Sequence, residues 1–304
     1  MGLMVSRLTL RRFTDIFASR VMLAATVFSA LLVVLIAVGL FLRSRPVLAS
    51  QSLNELLFSS VWHPSSGEFG LFNFIIGTLW VTGAAMVLAV PLCILTSIYL
   101  AEYAPGRVRA VVKPMIDLLA GIPSVVFGLM GILLIVPLSS DIASMLGVTS
   151  NGYNVLSGGI VLAIMVFPAI ISVSEEVIRT VPQGMREASL ALGATRWQAT
   201  KLVVTRGALT GIIAAVVLGF TRAFGETMAV LMVVGSVARA PSTVFDPSYP
   251  LTALIANNYG EMLSVPMYDS ALLFAALVLL GIVFLFSLGA RVILVRMERR
   301  YGHG

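Results

Sequence analysis

Charge is what this sequence has least of. Only 11% of its 304 residues are Asp, Glu, Lys or Arg, 59% are hydrophobic, and the mean hydropathy is +1.01. Soluble domains carry about a quarter charged residues, so there is too little polar surface here to wrap a soluble globule. Disorder needs low hydrophobicity and is excluded by the same figures. Cysteine is nearly absent, and the single Cys93 excludes a disulfide framework and a cysteine-rich metal site. Two histidines, His63 and His303, far apart and outside the apolar runs, leave little material for a histidine-based catalytic centre or a zinc cage. No G-x-x-x-x-G-K-[ST] phosphate loop, H-E-x-x-H or G-x-S-x-G motif occurs. The chain is an integral membrane protein with no means of hydrolysing ATP itself.

What it has in abundance is apolar runs. Uncharged stretches cover residues 21–42, 69–101, 118–140, 155–174 and 270–290, and a further run over 207–235 is interrupted by Arg222 and Glu226. A spanning helix needs about 20 apolar residues to cross roughly 30 Å of hydrocarbon. None of the runs alternates apolar and polar residues as barrel strands do. The expected fold class is an all-α membrane protein of six transmembrane helices. The first run has basic residues before it and a faint small-residue site at Val47-Leu48-Ala49. It is longer than the roughly 7–15 residues of a secretory signal core, and is read as a retained anchor.

Lysine and arginine set the orientation. Sixteen of the 20 fall in four places: before the first run (Arg7, Arg11, Arg12, Arg20), in 101–113, in 175–206 and in the C-terminal tail. Only Arg43, Arg45 and Arg239 fall on the other side, and Arg222 lies inside a run. Positive loops stay cytoplasmic, which puts both termini inside and segments 43–70 and 236–268 outside. The lipid bilayer is the expected partner of this charge pattern. Nucleic acid is not, because the basic residues form no single patch. The chain divides into 1–70 (cytoplasmic start, first helix, outer excursion), a five-helix body over 71–295, and a tail over 296–304. The outer segment 236–268 carries Pro241, Pro247, Pro250 and Pro266 and is expected to be irregular, with a short helix near 251–259. Pro91, Pro123 and Pro168 fall inside apolar runs, where membrane helices tolerate them.

The inner loop 175–206 is 32 residues long, far more than two adjacent helices need for a turn. Pro182 disfavours helix at the residue before it. Glu187 through Leu192 are mostly good helix formers, Gly193 suits a left-handed stop, and Thr195 is placed to cap the next helix. The spacing predicts helix, break, short helix across the membrane face, turn, helix. Such an element either docks into a partner's groove or lies in the lipid headgroups.

Glu187-Ala188-Ser189, then Leu192, Gly193 and Ala194, resembles the E-A-A…G loop of ABC-transporter permeases. Ser189 replaces the third-position alanine, Val203 stands for isoleucine, and Thr205-Arg206 replaces the usual Leu-Pro ending. In that family the loop inserts a coupling helix into a cleft of the ATP-binding subunit. A second stretch, Arg222-Ala223-Phe224-Gly225-Glu226-Thr227-Met228-Ala229-Val230, is similar to one in phosphate ABC-transporter permeases, of the PstC branch rather than the sister branch PstA. Gly121-Ile122-Pro123-Ser124 is similar to a segment found in both. The resemblance covers about residues 70–295. It implies a type I, MetI-like importer bundle in which Arg222, Glu226 and Thr227 line the substrate path. It also implies a second, PstA-like permease, two PstB-like ATPase subunits and a periplasmic PstS-like phosphate-binding protein. No cofactor belongs to this chain; ATP and Mg²⁺ belong to the ATPase subunits.

Residue chemistry alone makes Arg222 unusual. It lies 15 residues into its run, about 22 Å along a helix, where an ionisable group costs at least about 2.5–3.5 kcal/mol and usually faces a bundle interior or water. Glu226, four residues on, is expected on the same helix face as its partner, with Gly219 and Gly225 permitting close helix approach. Two readings remain open: a packing ion pair, or an anion-handling arginine whose fork donates paired hydrogen bonds to a tetrahedral oxyanion. Other function classes also remain: a permease for sulfate or molybdate, a secondary transporter, or a polytopic phosphatase. A secondary transporter would usually show inverted repeats, and a phosphatase would need more convergent Arg, His or Glu residues than Glu175-Glu176 beside Arg179.

Overall fold

Long apolar segments become helices because, in lipid, every backbone polar group has to be satisfied within the segment. The computed structural model describes the backbone of residues 2–260 and 265–301 and the side chains of 15–260 and 265–297. The side chains of Arg7, Arg11, Arg12, Arg299 and Arg300, and the end of the tail, lie outside the described residues. The chain opens with α1 (Gly2–Ser50) and α2 (Leu53–Phe58), then a two-residue antiparallel pair, β1 (Trp62–His63) and β2 (Glu68–Phe69). α3 (Phe72–Ile98) continues through a π-helical turn to Tyr103, and α4 (Gly106–Gly121) follows. α5 (Ser124–Met130) and α6 (Val136–Met145) are joined by a second π-helical turn and form one span. Next come α7 (Val155–Thr180), α8 (Gln183–Ala191) and α9 (Arg196–Ala199). A third π-helical turn leads to α10 (Thr205–Gly207), α11 (Leu209–Gly225) and α12 (Met228–Leu231). α13 (Leu251–Asn258) and α14 (Tyr268–Tyr301) complete the chain.

Among the described residues five helical segments are long and apolar enough to span a bilayer, and a sixth span forms if 196–207 and 209–225, bent by 70°, count as one. The expected all-α bundle is what the chain builds, with six spans when that bent pair is counted as one. Two of the runs are cut differently from the expectation. Residues 118–123 belong to α4 and to the break at Pro123, so the third span starts at Ser124 and Pro123 caps a helix instead of kinking one. The run 207–235 is not one helix, because the chain leaves helical geometry at Glu226 (φ −75°, ψ 132°) and resumes only briefly in α12.

The core lies between α3 and α7, where Val81, Ala85, Ala89, Leu162, Val166 and Ile170 are buried. Small residues let these helices meet: a Cβ on Gly159 would stand 2.9 Å from the Ala84 methyl. On the other side of α7, a Cβ on Gly211 would stand 2.2 Å from Cγ1 of Val177, which holds the start of α11 against α7. The end that carries residues 51–71 and 236–260 has its own cluster, built on Phe69, Phe74, Tyr249 and Tyr268, with Trp62 edge-on to Phe74 at 5.0 Å.

Hydrogen bonds sort the loops into two ends. At one end Asn73 donates to the carbonyls of Ser60 (2.8 Å) and Ala238 (3.0 Å), and Ser150 donates to Phe245 (3.0 Å). Ser270, at the start of α14, donates to the carbonyl of Arg43 near the end of α1. The first N–H groups of α7, which have no partner within the helix, are taken up here: Val155 donates to Asp246 and Leu156 to Val244, while the Asn154 side chain caps Ser157. Asp246 anchors this loop. Desolvation works to raise its pKa, but N–H donation from Thr243 and Ser242, both 2.8 Å, together with Arg239, leaves its carboxyl below the usual range. The segments 101–113 and 175–206 meet at the opposite end, through Glu102, Arg109, Glu175, Arg186 and Arg196.

Candidate functional site

Two places follow from the sequence, an exposed helix in the basic loop 175–206 and an arginine-bearing helix face. At the basic end α7 stops at Thr180, Val181 turns extended, and Pro182 caps the start of α8. α8 ends at Leu192, and Gly193 takes φ +85°, a left-handed conformation that glycine adopts without penalty. Thr195 then caps α9, accepting the N–H of Gln198, whose side-chain oxygen in turn accepts the Thr195 N–H. α8 buries none of its residues. Glu187 bonds only along its own helix, to Gln183 at 2.9 Å, and Ala188 is exposed. Ser189 and Ala194 are half-buried on the bundle side. Met185, Trp197 and Leu192, the last 90% exposed, present apolar surface around this turn, while Gln183, Glu187 and Leu190 line the cavity beneath α8. That is an amphipathic element whose apolar side faces away from the chain that carries it.

The second place is the end of α11. Ile212, Ala215, Gly219 and Ala223 face the bundle, and a Cβ on Gly219 would stand 2.4 Å from Ile170. The opposite face presents Leu218, Thr221, Arg222 and Gly225, all exposed and at helical spacing. Arg222 sits in the last turn, where a cation is favoured by the helix dipole. The expected Arg222–Glu226 pair does not form. The helix ends at Gly225, so the four-residue spacing no longer puts the two side chains on one face. The Glu226 carboxylate instead accepts the N–H of Ala229 at 3.3 Å, starting α12, and the Glu226 carbonyl accepts from Thr252 at 3.0 Å. Thr227 is half-buried in the same break, its hydroxyl 3.4 Å from the Gly225 carbonyl. Glu226, with Thr78, Thr82 and Thr252, lines a narrow crevice between α3, α11 and α13. Among the described residues Arg222 meets no carboxylate within ion-pair distance. Gly225, expected to admit another helix, has no atom of this chain within 4 Å of where a Cβ would stand.

A polar joint at the inner end escaped the sequence reading. Arg186 of α8 holds Glu102 through two nitrogens, at 2.7 Å and 3.1 Å. Arg109 donates to the carbonyls of Leu100 and Ala101 and lies 3.8 Å from Glu175, which Arg179 also approaches at 3.5 Å. Arg196 donates to the Glu102 carbonyl and stacks over Tyr103 at 4.7 Å. Glu102, Arg109, Arg179, Arg186 and Arg196 rim a cavity of about 400 Å³ beneath α8 that opens to the surface. A sequence signal existed, since Glu102 is the lone acid closing an apolar run above an arginine-rich loop.

Apolar spans, an exposed helix on the basic end and a polar break in one span make a multi-pass membrane protein with a candidate docking element. Residues 93–301 match the family described as binding-protein-dependent transport system inner membrane component, and the chain belongs to that family. It is 34% identical over 304 residues to the phosphate transport system permease protein PstC of Xylella fastidiosa strain 9a5c, covering 95% of this chain and 93% of that protein. It is 39% identical over 236 residues to the probable ABC transporter permease protein YqgH of Bacillus subtilis, covering 77% and 75%. Its fold superposes on a chain of the inward-facing MetNI methionine ABC transporter with a TM-score of 0.56 and 18% identity, over 75% of this chain and 95% of that one. The chain is thus a multi-pass membrane component of a binding-protein-dependent transport system, and its family is one of transporters, not enzymes.

Proposed function

We propose that this chain is the PstC-type permease of an ATP-driven importer of inorganic phosphate, in the inner membrane of a bacterium with both termini cytoplasmic. A PstA-like permease, two PstB-like ATPase subunits and a PstS-like binding protein complete the assembly, and the ATPase subunits hold the ATP and Mg²⁺. The observation that carries the coupling is the α8–α9 turn, where no residue of α8 is fully buried and Leu192 and Trp197 stand exposed. An ATPase cleft is the occupant such a helix fits, with Glu187, Ala188, Ser189, Leu192, Gly193 and Ala194 as the docking segment. The substrate follows from relatives named phosphate transport system permease over 95% of the chain. Residues 71–295 form the translocating body, 1–70 the anchor and outer excursion, and 296–304 the tail. The exposed face of α11, with Arg222, and the break after it, with Glu226 and Thr227, line the path against the second permease. ATP-driven movement of α8 alternates the access of that path, and phosphate shifts the balance only by binding the two states differently.

Co-purification tests the reading. The ATPase subunit should be retained by the unaltered chain and lost from Glu187→Lys with Leu192→Asp, while both chains insert equally. Labelling of single cysteines in 175–206 from outside the cell, or equal retention of the ATPase by both chains, overturns it.

A further inference from the structure

α8 has to transmit force as well as dock, yet it buries no residue of its own. Its side-chain tie to the bundle is Arg186. Nη2 of Arg186 reaches Oε1 of Glu102 at 2.7 Å, Nε lies 3.1 and 3.2 Å from the two carboxylate oxygens, and the same guanidinium donates to the carbonyls of Ile178 and Val181 at the end of α7. Glu102 is 10% exposed and Arg186 20%, so the pair is shielded from water and held by several bonds. Glu102 belongs to the π-helical turn that ends the span begun by α3, and Arg196 grips the backbone of that turn through the Glu102 carbonyl. The other end of this span carries Thr78 and Thr82, which face the crevice beside Glu226. From Thr78 to Glu102 is 24 residues, about 36 Å of continuous helix.

We infer that Glu102 and Arg186 form the joint through which movement of α8 is passed to the span 72–103, and so to the crevice at the helix break. The inference rests on the proposed docking of α8. A bidentate arginine–carboxylate pair suits the task because its fork fixes angle as well as distance, and because π-helical turns supply a local change of helix direction. Glu102 is a positioning residue here, remote from the path. It acts by making α8 and the inner end of the span move as one body.

The test uses the whole assembly and reads phosphate uptake per ATP hydrolysed. Glu102→Gln should keep the ATPase bound and hydrolysing while uptake falls about tenfold or more, within the span of ordinary coupling energies. A second variant, Glu102→Cys with Arg186→Cys in a Cys93→Ala background, should be uncoupled when reduced and regain uptake when a short thiol cross-linker restores the tie. A purely structural role for the pair would not respond to the cross-linker. If the unaltered assembly hydrolyses ATP but carries no phosphate, the phosphate reading falls. The joint is then judged by the ATP-dependent change in amide exchange over residues 72–103. A change present in the unaltered chain and lost in Glu102→Gln supports the joint. An unchanged ratio in Glu102→Gln, a cysteine pair indifferent to the cross-linker, or the same exchange response in both chains overturns it.

Discussion

Replacing Arg222 by methionine separates a path residue from a structural one. Had Arg222 and Glu226 formed a buried pair, removing one partner would cost about 3–5 kcal/mol through the charge left behind. The structure removes that complication, because Glu226 lies past the helix end and is engaged by the Ala229 N–H, while Arg222 is exposed and meets no carboxylate among the described residues. Arg222→Met should therefore change stability by no more than about 0.5 kcal/mol, as for a surface position without partners. Transport is a different matter. Hydrogen bonds between charged groups are worth about 1.5–3 kcal/mol, so losing the contact to phosphate should slow uptake by roughly 10- to 150-fold. Arg222→Lys keeps the charge without the fork and should fall between the two. The assay pairs the thermal unfolding midpoint of the purified permease with radiolabelled phosphate uptake by cells. A methionine variant that is more stable and transports normally would place Arg222 against lipid and refute its role in the path.

Three further outcomes follow from the geometry. Gly211→Ala drives a methyl to 2.2 Å from the stiff Val177 side chain and should destabilise by about 1–3 kcal/mol, whereas Gly225→Ala meets nothing and should leave the unfolding midpoint unmoved. Gly193→Ala, at φ +85°, should cost about 1–2 kcal/mol in the turn after α8 and weaken ATPase-subunit binding, with Gly193→Asn closer to the unaltered chain. Because the Asp246 pKa is lowered by folding, its contribution is present above the unfolded value of about 3.9 and is lost as pH falls through the lower folded value. Protection of the Val155 and Leu156 amides, corrected for intrinsic exchange, should drop there and should not do so in Asp246→Asn.

The parts legible in the sequence were those with a local physical cause. Run length located five spans, and Pro182, Gly193 and Thr195 marked the break, the stop and the cap around α8 because each acts on its own backbone. The irregular segment after Gly235 and the short helix after Pro250 were likewise readable from prolines, the latter observed as Leu251–Asn258. What failed was the assumption that an apolar run is one helix. Nothing local in Phe224-Gly225-Glu226-Thr227 forbids helix strongly enough to predict the break, which the Thr252 hydroxyl helps to hold from 26 residues away. The arginine–glutamate pair was drawn on a helix that ends too soon. The Glu102–Arg186 tie joins residues 84 apart and depends on how α3 and α7 pack, information that no single run contains.

The central claim is that this chain carries inorganic phosphate inward when ATP is hydrolysed by subunits docked at α8. Uptake of radiolabelled phosphate tests it most directly, in cells whose own phosphate importers are deleted and which express the chain with its companion permease, ATPase and binding protein. The account predicts accumulation that needs this chain, stops with Leu192→Asp at the docking helix, and is not competed by excess sulfate or molybdate. Accumulation of sulfate or molybdate in place of phosphate, or phosphate accumulation that survives Leu192→Asp with the ATPase no longer bound, would contradict it.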